Sequence, residues 1–235
     1  MSYKKVIAFG DSFTRGDELA DCPAVSDEHP LAHSTRTWCA LLAHKLGIEY
    51  DCRAMGGRGN QYIGWQIANR LGSDTLFIVN WTYFERFDYV DIDSDRWTTV
   101  HPRHEDKLNH YFYRNLDSDI WNLHRNLQQM HSAISLLKQH NIDFIMTCLD
   151  NNYCADFNTF RPAGSKVSTH WKNVIANLQA QIIPHMVDFE GMSFLEWSRH
   201  NNFEFGPNGH PLEKAHIEAA KCINMVTTEG KNYGH

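Results

Sequence analysis

The sequence predicts an α/β protein: a three-layer α/β/α sandwich around a five-stranded, mainly parallel sheet. Short apolar runs alternate along the chain with longer stretches in which apolar residues recur at helical spacing. This alternation is typical of β-α-β units, which place helices on both faces of a parallel sheet. Of the 235 residues, 42% are hydrophobic and 21% are charged, as in ordinary globular proteins. We therefore expect a single domain over residues 1–235.

Five apolar runs are predicted to be strands, because each is short and bounded by turn residues or a predicted helix. They cover 6–9, 48–54, 76–79, 144–146 and 186–187. The run at 76–79 (Leu-Phe-Ile-Val) is the clearest buried strand of the five. We predict helices at 37–46, 60–71, 120–140, 169–183 and 211–226, with Gly47 and Gly72 ending the first two.

Two further segments have no clean periodicity. The polar loop 17–35 is long for a compact domain, and such loops usually act as lids or binding loops. The aromatic-rich segment at about 81–117 is predicted to be an insertion packed over one end of the sheet. We expect both segments to shape the ligand pocket.

Composition excludes several function classes. A net charge of −6 argues against a nucleic-acid partner, which requires a basic surface. The sequence has neither an 18-residue apolar run nor a signal-peptide pattern, so we expect a cytoplasmic protein without a membrane partner. The six cysteines are irregularly spaced and are predicted to be free thiols. We expect neither a metal ion nor a cofactor, and Asp91, Asp93 and Asp95 are interpreted as a solvated turn. The oligomeric state is left open.

Two short motifs could carry chemistry in this fold, where ligands bind beyond the carboxyl ends of the strands. Gly10-Asp11-Ser12 follows the first predicted strand directly, so that the serine hydroxyl would be exposed at the edge of the sheet. Gly209-His210-Pro211 precedes the last predicted helix, and histidine is the usual base that deprotonates a serine. Taken singly, each motif is more often an ordinary turn or helix cap. His216 is expected on the surface of that helix.

Together, these motifs and the Gly56-Gly57-Arg58-Gly59 turn after the second strand resemble the SGNH hydrolase family. In that family the nucleophilic serine lies in G-D-S near the N-terminus, and the histidine lies near the C-terminus, usually in D-x-x-H-P. The three segments occur in the order that the family has, and together they span nearly the whole chain. The resemblance also implies a flavodoxin-like sheet. Members from bacteriophages and marine bacteria are similar to this chain, and a phage protein could be located in a virion.

The resemblance implies a role for each matching residue. Ser12 would be the nucleophile and His210 its general base. The backbone N–H groups of Ser12 and Gly57 would stabilise the oxyanion, although Gly56 or Gly59 could take the place of Gly57. Asp11 would have a structural role and fix the turn through backbone hydrogen bonds.

The chain departs from the family pattern at two places. In place of the family's G-x-N-D segment, whose Asn is the third oxyanion donor, the chain reads Asn80-Trp81-Thr82-Tyr83-Phe84-Glu85-Arg86. Alignment by the end of the strand puts Trp81 on the glycine and Tyr83 on the Asn. Asn80, Thr82 or Asn60 could supply that donor, and the sequence does not choose among them. Pro207 stands where the family places the Asp of D-x-x-H, so Glu204 or Asp188 could be the acid.

The function implied by the resemblance is hydrolysis of a small acyl ester, such as a carbohydrate O-acetyl ester, at a Ser-His site. The partner would be a small-molecule or carbohydrate ester. The alternatives are a lipase or thioesterase of the same family, and a binding protein that has kept the fold with weak or no catalysis. A nucleotide or flavin binder ranks last, because the chain lacks a dinucleotide-binding glycine motif.

Overall fold

The computed structural model describes residues 3–22, 32–149, 151–154 and 167–228. Within these ranges the chain forms six strands, β1–β6, and eight α-helices, α1–α8. The strands are β1 (Lys5–Phe9), β2 (Glu49–Cys52), β3 (Thr75–Trp81), β4 (Phe87–Asp91), β5 (Arg96–Val100) and β6 (Phe144–Cys148). The helices are α1 (Ser12–Arg15), α2 (Trp38–Leu46), α3 (Asn60–Ala68), α4 (Lys107–Asn115), α5 (Asp119–Gln139), α6 (Thr169–Ile182), α7 (Phe194–His200) and α8 (Glu213–Thr228).

The central sheet has the strand order β2-β1-β3-β6, and all of its pairs are parallel. A parallel bridge from Met146 to Met186 extends the sheet beyond β6, at the fifth strand predicted from the sequence. The predicted fold class is therefore confirmed, with the fifth strand reduced to a single bridge.

Alternate residues of each central strand pack into two hydrophobic cores. In β1, Ile7 and Phe9 pack with residues of α3, α5 and α6, whereas Val6 and Ala8 pack with α2, α7 and α8. This division follows from the two-residue period of a strand. The described helices thus cover both faces of the sheet, which is the predicted three-layer sandwich.

The segment at about 81–117 contains a β4/β5 hairpin and α4, which the sequence did not predict. Several of its contacts are with α3 and the turn before it. Trp97 of the hairpin packs against Tyr62 and Trp65 of α3, with ring centroids 5.9 and 5.6 Å away. The Asp88 carboxylate accepts hydrogen bonds from the backbone N–H of Gly59 and of Tyr62. These contacts hold the hairpin beside the glycine turn that precedes α3.

Smaller differences concern element ends and loops. The helix predicted over 60–71 ends at Ala68, and the last helix begins at Glu213, two residues after Pro211. Helices α1 and α7 are also additional to the prediction. The Asp91 carboxylate accepts the backbone N–H groups of Asp93 and Ser94 at the hairpin tip, as expected for a polar turn. Of the loop 17–35, which is predicted to shape the pocket, residues 23–31 lie outside the described part of the chain.

Candidate active site

Ser12 lies just beyond the carboxyl end of β1, which is an inner strand of the sheet. From this position its side chain can reach the space above the end of the sheet. Gly10 lets the chain turn tightly here, because a Cβ at this residue would collide with the side chain of Thr14. Asp11 caps α1, and its Oδ1 accepts the backbone N–H of Phe13 at 3.1 Å. As the first residue of that helix, Ser12 keeps a backbone N–H that has no partner within the helix.

His210 reaches Ser12 from the opposite end of the chain. The two residues are 198 positions apart, yet the His210 Nε2 lies 2.9 Å from the Ser12 Oγ. The Phe13 ring packs edge-on against the imidazole, with ring centroids 4.8 Å apart. A serine hydroxyl at this distance can pass its proton to a neutral imidazole.

The second nitrogen of the His210 ring contacts Glu18, which the sequence had not suggested. Glu18 Oε2 lies 2.7 Å from His210 Nδ1. The alternatives proposed from the sequence are corrected here: Glu204 is exposed, and Asp188 is exposed and accepts the backbone N–H of Gly191. Neither of these two carboxylates contacts the His210 ring in the described structure.

The Glu18 carboxylate is held by the turn that carries His210. It accepts hydrogen bonds from the backbone N–H groups of Asn208, at 2.9 and 3.1 Å, and of His210, at 3.3 Å. Gly206 makes room for it, since a Cβ there would lie 2.5 Å from the Glu18 Cδ. Glu18 itself has a φ of 71°, an uncommon left-handed conformation for a residue with a side chain.

These hydrogen bonds determine the charge of Glu18. Partial burial by itself would raise the pKa of the carboxyl, but the hydrogen bonds from Asn208 and His210 outweigh it and lower the pKa below the usual range. Glu18 is therefore ionised at neutral pH, next to the imidazole nitrogen that points away from Ser12. An ionised carboxylate in this position can orient the ring and stabilise its protonated form.

Asp11 belongs to a second, buried polar network. Its Oδ2 accepts hydrogen bonds from Arg86 Nη1 at 2.9 Å and from Thr82 Oγ1 at 2.7 Å. Arg86 Nη1 also donates to the Arg58 carbonyl at 2.8 Å. The network ties the turn after β1 to the segment that follows β3, which agrees with a structural role for Asp11.

The residues considered as oxyanion donors fall into two groups. Gly57 has a φ of +77° and lines the same cavity as Ser12. The backbone N–H groups of Gly57 and Ser12 donate to no residue in the described part of the chain. By contrast, the side chains of Asn60, Asn80 and Thr82 are buried and absent from the cavity lining.

The hydrogen bonds of these three side chains explain why they do not line the cavity. Asn60 Nδ2 donates to Asn126, Tyr153 and the Thr82 carbonyl, and its Oδ1 accepts the Thr82 backbone N–H. Asn80 Oδ1 accepts a hydrogen bond from Thr147. Thr82 Oγ1 donates to Asp11. All three side chains therefore belong to a buried polar framework, in which Asn80 Nδ2 has no partner among the described residues.

The cavity above Ser12 and His210 has a volume of about 510 Å³, within the range of small-molecule sites. Gly57 is part of its lining, and Tyr83, Arg86 and His101 contribute from the segment at 81–117. Burial, followed by the charges of Arg86, His104 and Arg103, lowers the pKa of His101 to about 4. His101 is therefore uncharged at neutral pH.

Two further features of the described chain bear on function. In the part of the chain that the structure describes, no cluster of three His, Cys, Asp or Glu side chains could hold a metal ion. No described helix combines the length and apolar character needed to span a membrane. His216, predicted on the helix surface, is instead buried, and its Nδ1 accepts the backbone N–H of Trp38 at 3.2 Å.

No protein-family model matches the chain, and no curated protein matches it. Solved structures are similar in fold. TesA is 12% identical, with 96% of this chain and 98% of that chain covered and a TM-score of 0.51. A carbohydrate esterase family 2 enzyme with a carbohydrate binding domain, from Corynascus thermopiles, is 15% identical, with 97% and 67% covered and a TM-score of 0.50.

A member of the lipolytic protein G-D-S-L family from Veillonella parvula is 14% identical, with 95% of this chain and 98% of that chain covered and a TM-score of 0.49. At identities this low, such similarities are informative about the fold and not about the activity. The strand order, the two helical layers and the similarity to the two structures with TM-scores of 0.51 and 0.50 lead to one conclusion: the chain has the SGNH hydrolase fold.

Proposed function

We propose that the protein is a serine esterase in which Ser12 is the nucleophile, His210 the general base and Glu18 the acid that orients it. The observation that carries this proposal is the continuous relay from Glu18 Oε2 to His210 Nδ1, at 2.7 Å, and from His210 Nε2 to Ser12 Oγ, at 2.9 Å. Ser12 and Glu18 lie six residues apart, His210 comes from the other end of the sequence, and the three groups meet in the order that nucleophilic catalysis requires. The relay opens into a cavity of small-molecule size.

The reaction proceeds in two halves. The Ser12 Oγ attacks the carbonyl carbon of the ester while its proton moves to His210 Nε2. The tetrahedral intermediate collapses, the bond to the alcohol oxygen breaks, and His210 returns the proton to that oxygen. Water then attacks the acyl-serine with His210 again as base, the carboxylic acid leaves, and the Ser12 hydroxyl is restored. Glu18 remains ionised and stabilises the imidazolium in each half.

The oxyanion would be stabilised by the backbone N–H groups of Ser12 and Gly57, which have no described acceptor. Arg86 is our candidate for the third donor. Its Nη1 is occupied by Asp11, Thr82 and the Arg58 carbonyl, whereas its Nη2 donates to no described residue. Arg86 also lines the cavity with Ser12. A charged donor held by a buried carboxylate would replace the Asn of the family pattern.

The substrate is proposed to be a short acyl ester, such as an acetyl ester of a carbohydrate. The aromatic ring of Tyr83 and the polar groups of Arg86 and Asn208 line the cavity, a mixture that suits a sugar better than a long acyl chain. The similarity in fold to a carbohydrate esterase supports the same substrate class.

The test uses the purified protein with p-nitrophenyl acetate and, separately, a fluorophosphonate probe that labels activated serines. We expect turnover and labelling by the wild type, and neither above background with Ser12→Ala. Ser73→Ala is the matched control, because Ser73 is exposed and remote from the cavity. Absence of labelling in a folded wild-type protein would reject the esterase and favour a binding protein that has kept the fold.

A further inference from the structure

The charges around the cavity are not balanced. Arg86 is paired with the buried Asp11 at 2.9 Å, and Asp17 is paired with Arg15 at 2.5 Å. Two further arginines line the cavity, Arg103 in the loop after β5 and Arg199 in the last turn of α7. Both side chains are exposed, and neither forms an ion pair with any residue that the structure describes.

One carboxyl group in the cavity lining could offset one of these two arginines. Glu85 is the remaining acidic residue in the cavity lining. Burial, followed by the nearby charges of Asp117 and Asp119, raises its pKa. Even when it is ionised, this one carboxyl faces the two arginines Arg103 and Arg199. The described cavity therefore has a surplus of positive charge at its rim.

This surplus contrasts with the whole chain, whose net charge is −6. A negatively charged substrate would be repelled by most of the surface and attracted locally to the cavity, where the low-dielectric walls strengthen the field. Guanidinium groups also bind carboxylate and sulfate-type oxygens through paired hydrogen bonds, a geometry that neutral hydroxyls cannot match.

We propose that the esters recognised at this site carry an anionic group, such as the carboxylate or sulfate of an acidic sugar, that binds to Arg103 and Arg199. The scissile acyl group would lie at Ser12 while the anionic group lies at the rim. This inference rests on the proposed esterase function and narrows its substrate class.

The experiment compares three acetyl esters of matched size: an acetylated uronate, an acetylated sugar sulfate and an acetylated neutral sugar. We expect kcat/KM for at least one anionic ester to exceed that for the neutral ester by about tenfold or more. We expect the difference to lie mainly in KM and to shrink as ionic strength rises. The uronate and sulfate substrates distinguish which anion is preferred.

Variants assign the effect to the two arginines. Arg103→Gln and Arg199→Gln should each reduce the ratio of kcat/KM for the anionic ester to kcat/KM for the neutral ester several-fold. Arg96→Gln is the control, since Arg96 is an exposed arginine on the hairpin and does not line the cavity. An unchanged preference in both cavity variants would overturn the assignment.

Failure of this inference can be told apart from failure of the esterase proposal. Turnover of p-nitrophenyl acetate with no preference for either anionic ester would overturn the anionic substrate class alone. If no ester is hydrolysed, calorimetric titration of the wild type with the uronate and with the neutral sugar still tests recognition. Tighter binding of the uronate that weakens in Arg199→Gln would support it, and equal binding would overturn it.

Discussion

At the residue scale, the position of Glu18 changes how the site is expected to work. The carboxylate comes from the segment just after the nucleophile, and it holds the backbone of the turn at 208–210 as well as the His210 ring. One side chain therefore both orients the imidazole and fixes the loop that carries it.

We predict that Glu18→Gln lowers kcat by about 10³- to 10⁴-fold, because the amide would favour the wrong imidazole tautomer and cannot stabilise the imidazolium. The measurement is steady-state hydrolysis of p-nitrophenyl acetate, with circular dichroism melting to check the fold.

Glu204→Gln is the matched control, since Glu204 is exposed and does not contact the ring. It should retain wild-type kcat. Equal activity in the wild type and Glu18→Gln would remove Glu18 from the proposed triad.

At the element scale, the connection between α7 and α8 positions the base. Its backbone N–H groups at 208 and 210 point to the Glu18 carboxylate, and Gly206 leaves the space that the carboxylate occupies. The two ends of the chain are thereby joined above the carboxyl end of β1.

Gly206→Ala should displace the Glu18 carboxylate, since the added Cβ would lie 2.5 Å from the Glu18 Cδ. We expect kcat to fall by about 100-fold, the scale of loss that a misplacement of about 1 Å can cause. We expect the melting temperature to change little, because Gly206 lies in the connection between α7 and α8 and outside the two hydrophobic cores.

Gly72→Ala provides the control, because the space around Gly72 admits a methyl group at ordinary contact distances. A Gly206→Ala variant with full activity would show that the carboxylate can shift without consequence for the base.

At the scale of the whole molecule, His216 joins two helices of one layer. It is 1% exposed, and its Nδ1 accepts the backbone N–H of Trp38 where α2 begins. Burial lowers the pKa of His216 to about 3, whereas an unfolded chain has a histidine pKa near 6.5. The folded protein therefore keeps this ring neutral at pH values where the unfolded chain binds a proton.

The free energy of unfolding should consequently fall as the pH drops from about 6.5 to about 3. His216 alone would contribute up to about 1.4 kcal/mol of this fall per pH unit. We predict that His216→Gln, which retains an acceptor, has a shallower decline of the free energy of unfolding over this range. Urea denaturation at several pH values measures the difference.

His44→Gln, at an exposed site on α2, should have the same pH dependence as the wild type. Parallel curves for His216→Gln and the wild type would contradict the assignment of this acid sensitivity to His216.

Parts of the molecule that depend on local pattern were predictable. The strand at 76–79, the helix that ends at Gly47 and the long amphipathic helix near 120–140 all follow from periodicity and glycine position. The β4/β5 hairpin was missed because its rings pack against α3, and Asp88 bonds to the Gly59 turn, through contacts that leave no local period. The same is true of His216, whose burial depends on α2 and α7.

The sequence by itself determined the alternation of the central strands with the long helices, and it identified the two motifs that carry Ser12 and His210. It could do so because periodicity and turn residues are local features of a sequence. Only the tertiary structure decided that Glu18 lies at the far nitrogen of His210, that Asn60, Asn80 and Thr82 hydrogen-bond within the buried framework, and that Arg103 and Arg199 line one cavity. These are contacts between residues far apart in sequence, and their geometry depends on how the whole sheet brings the loops together.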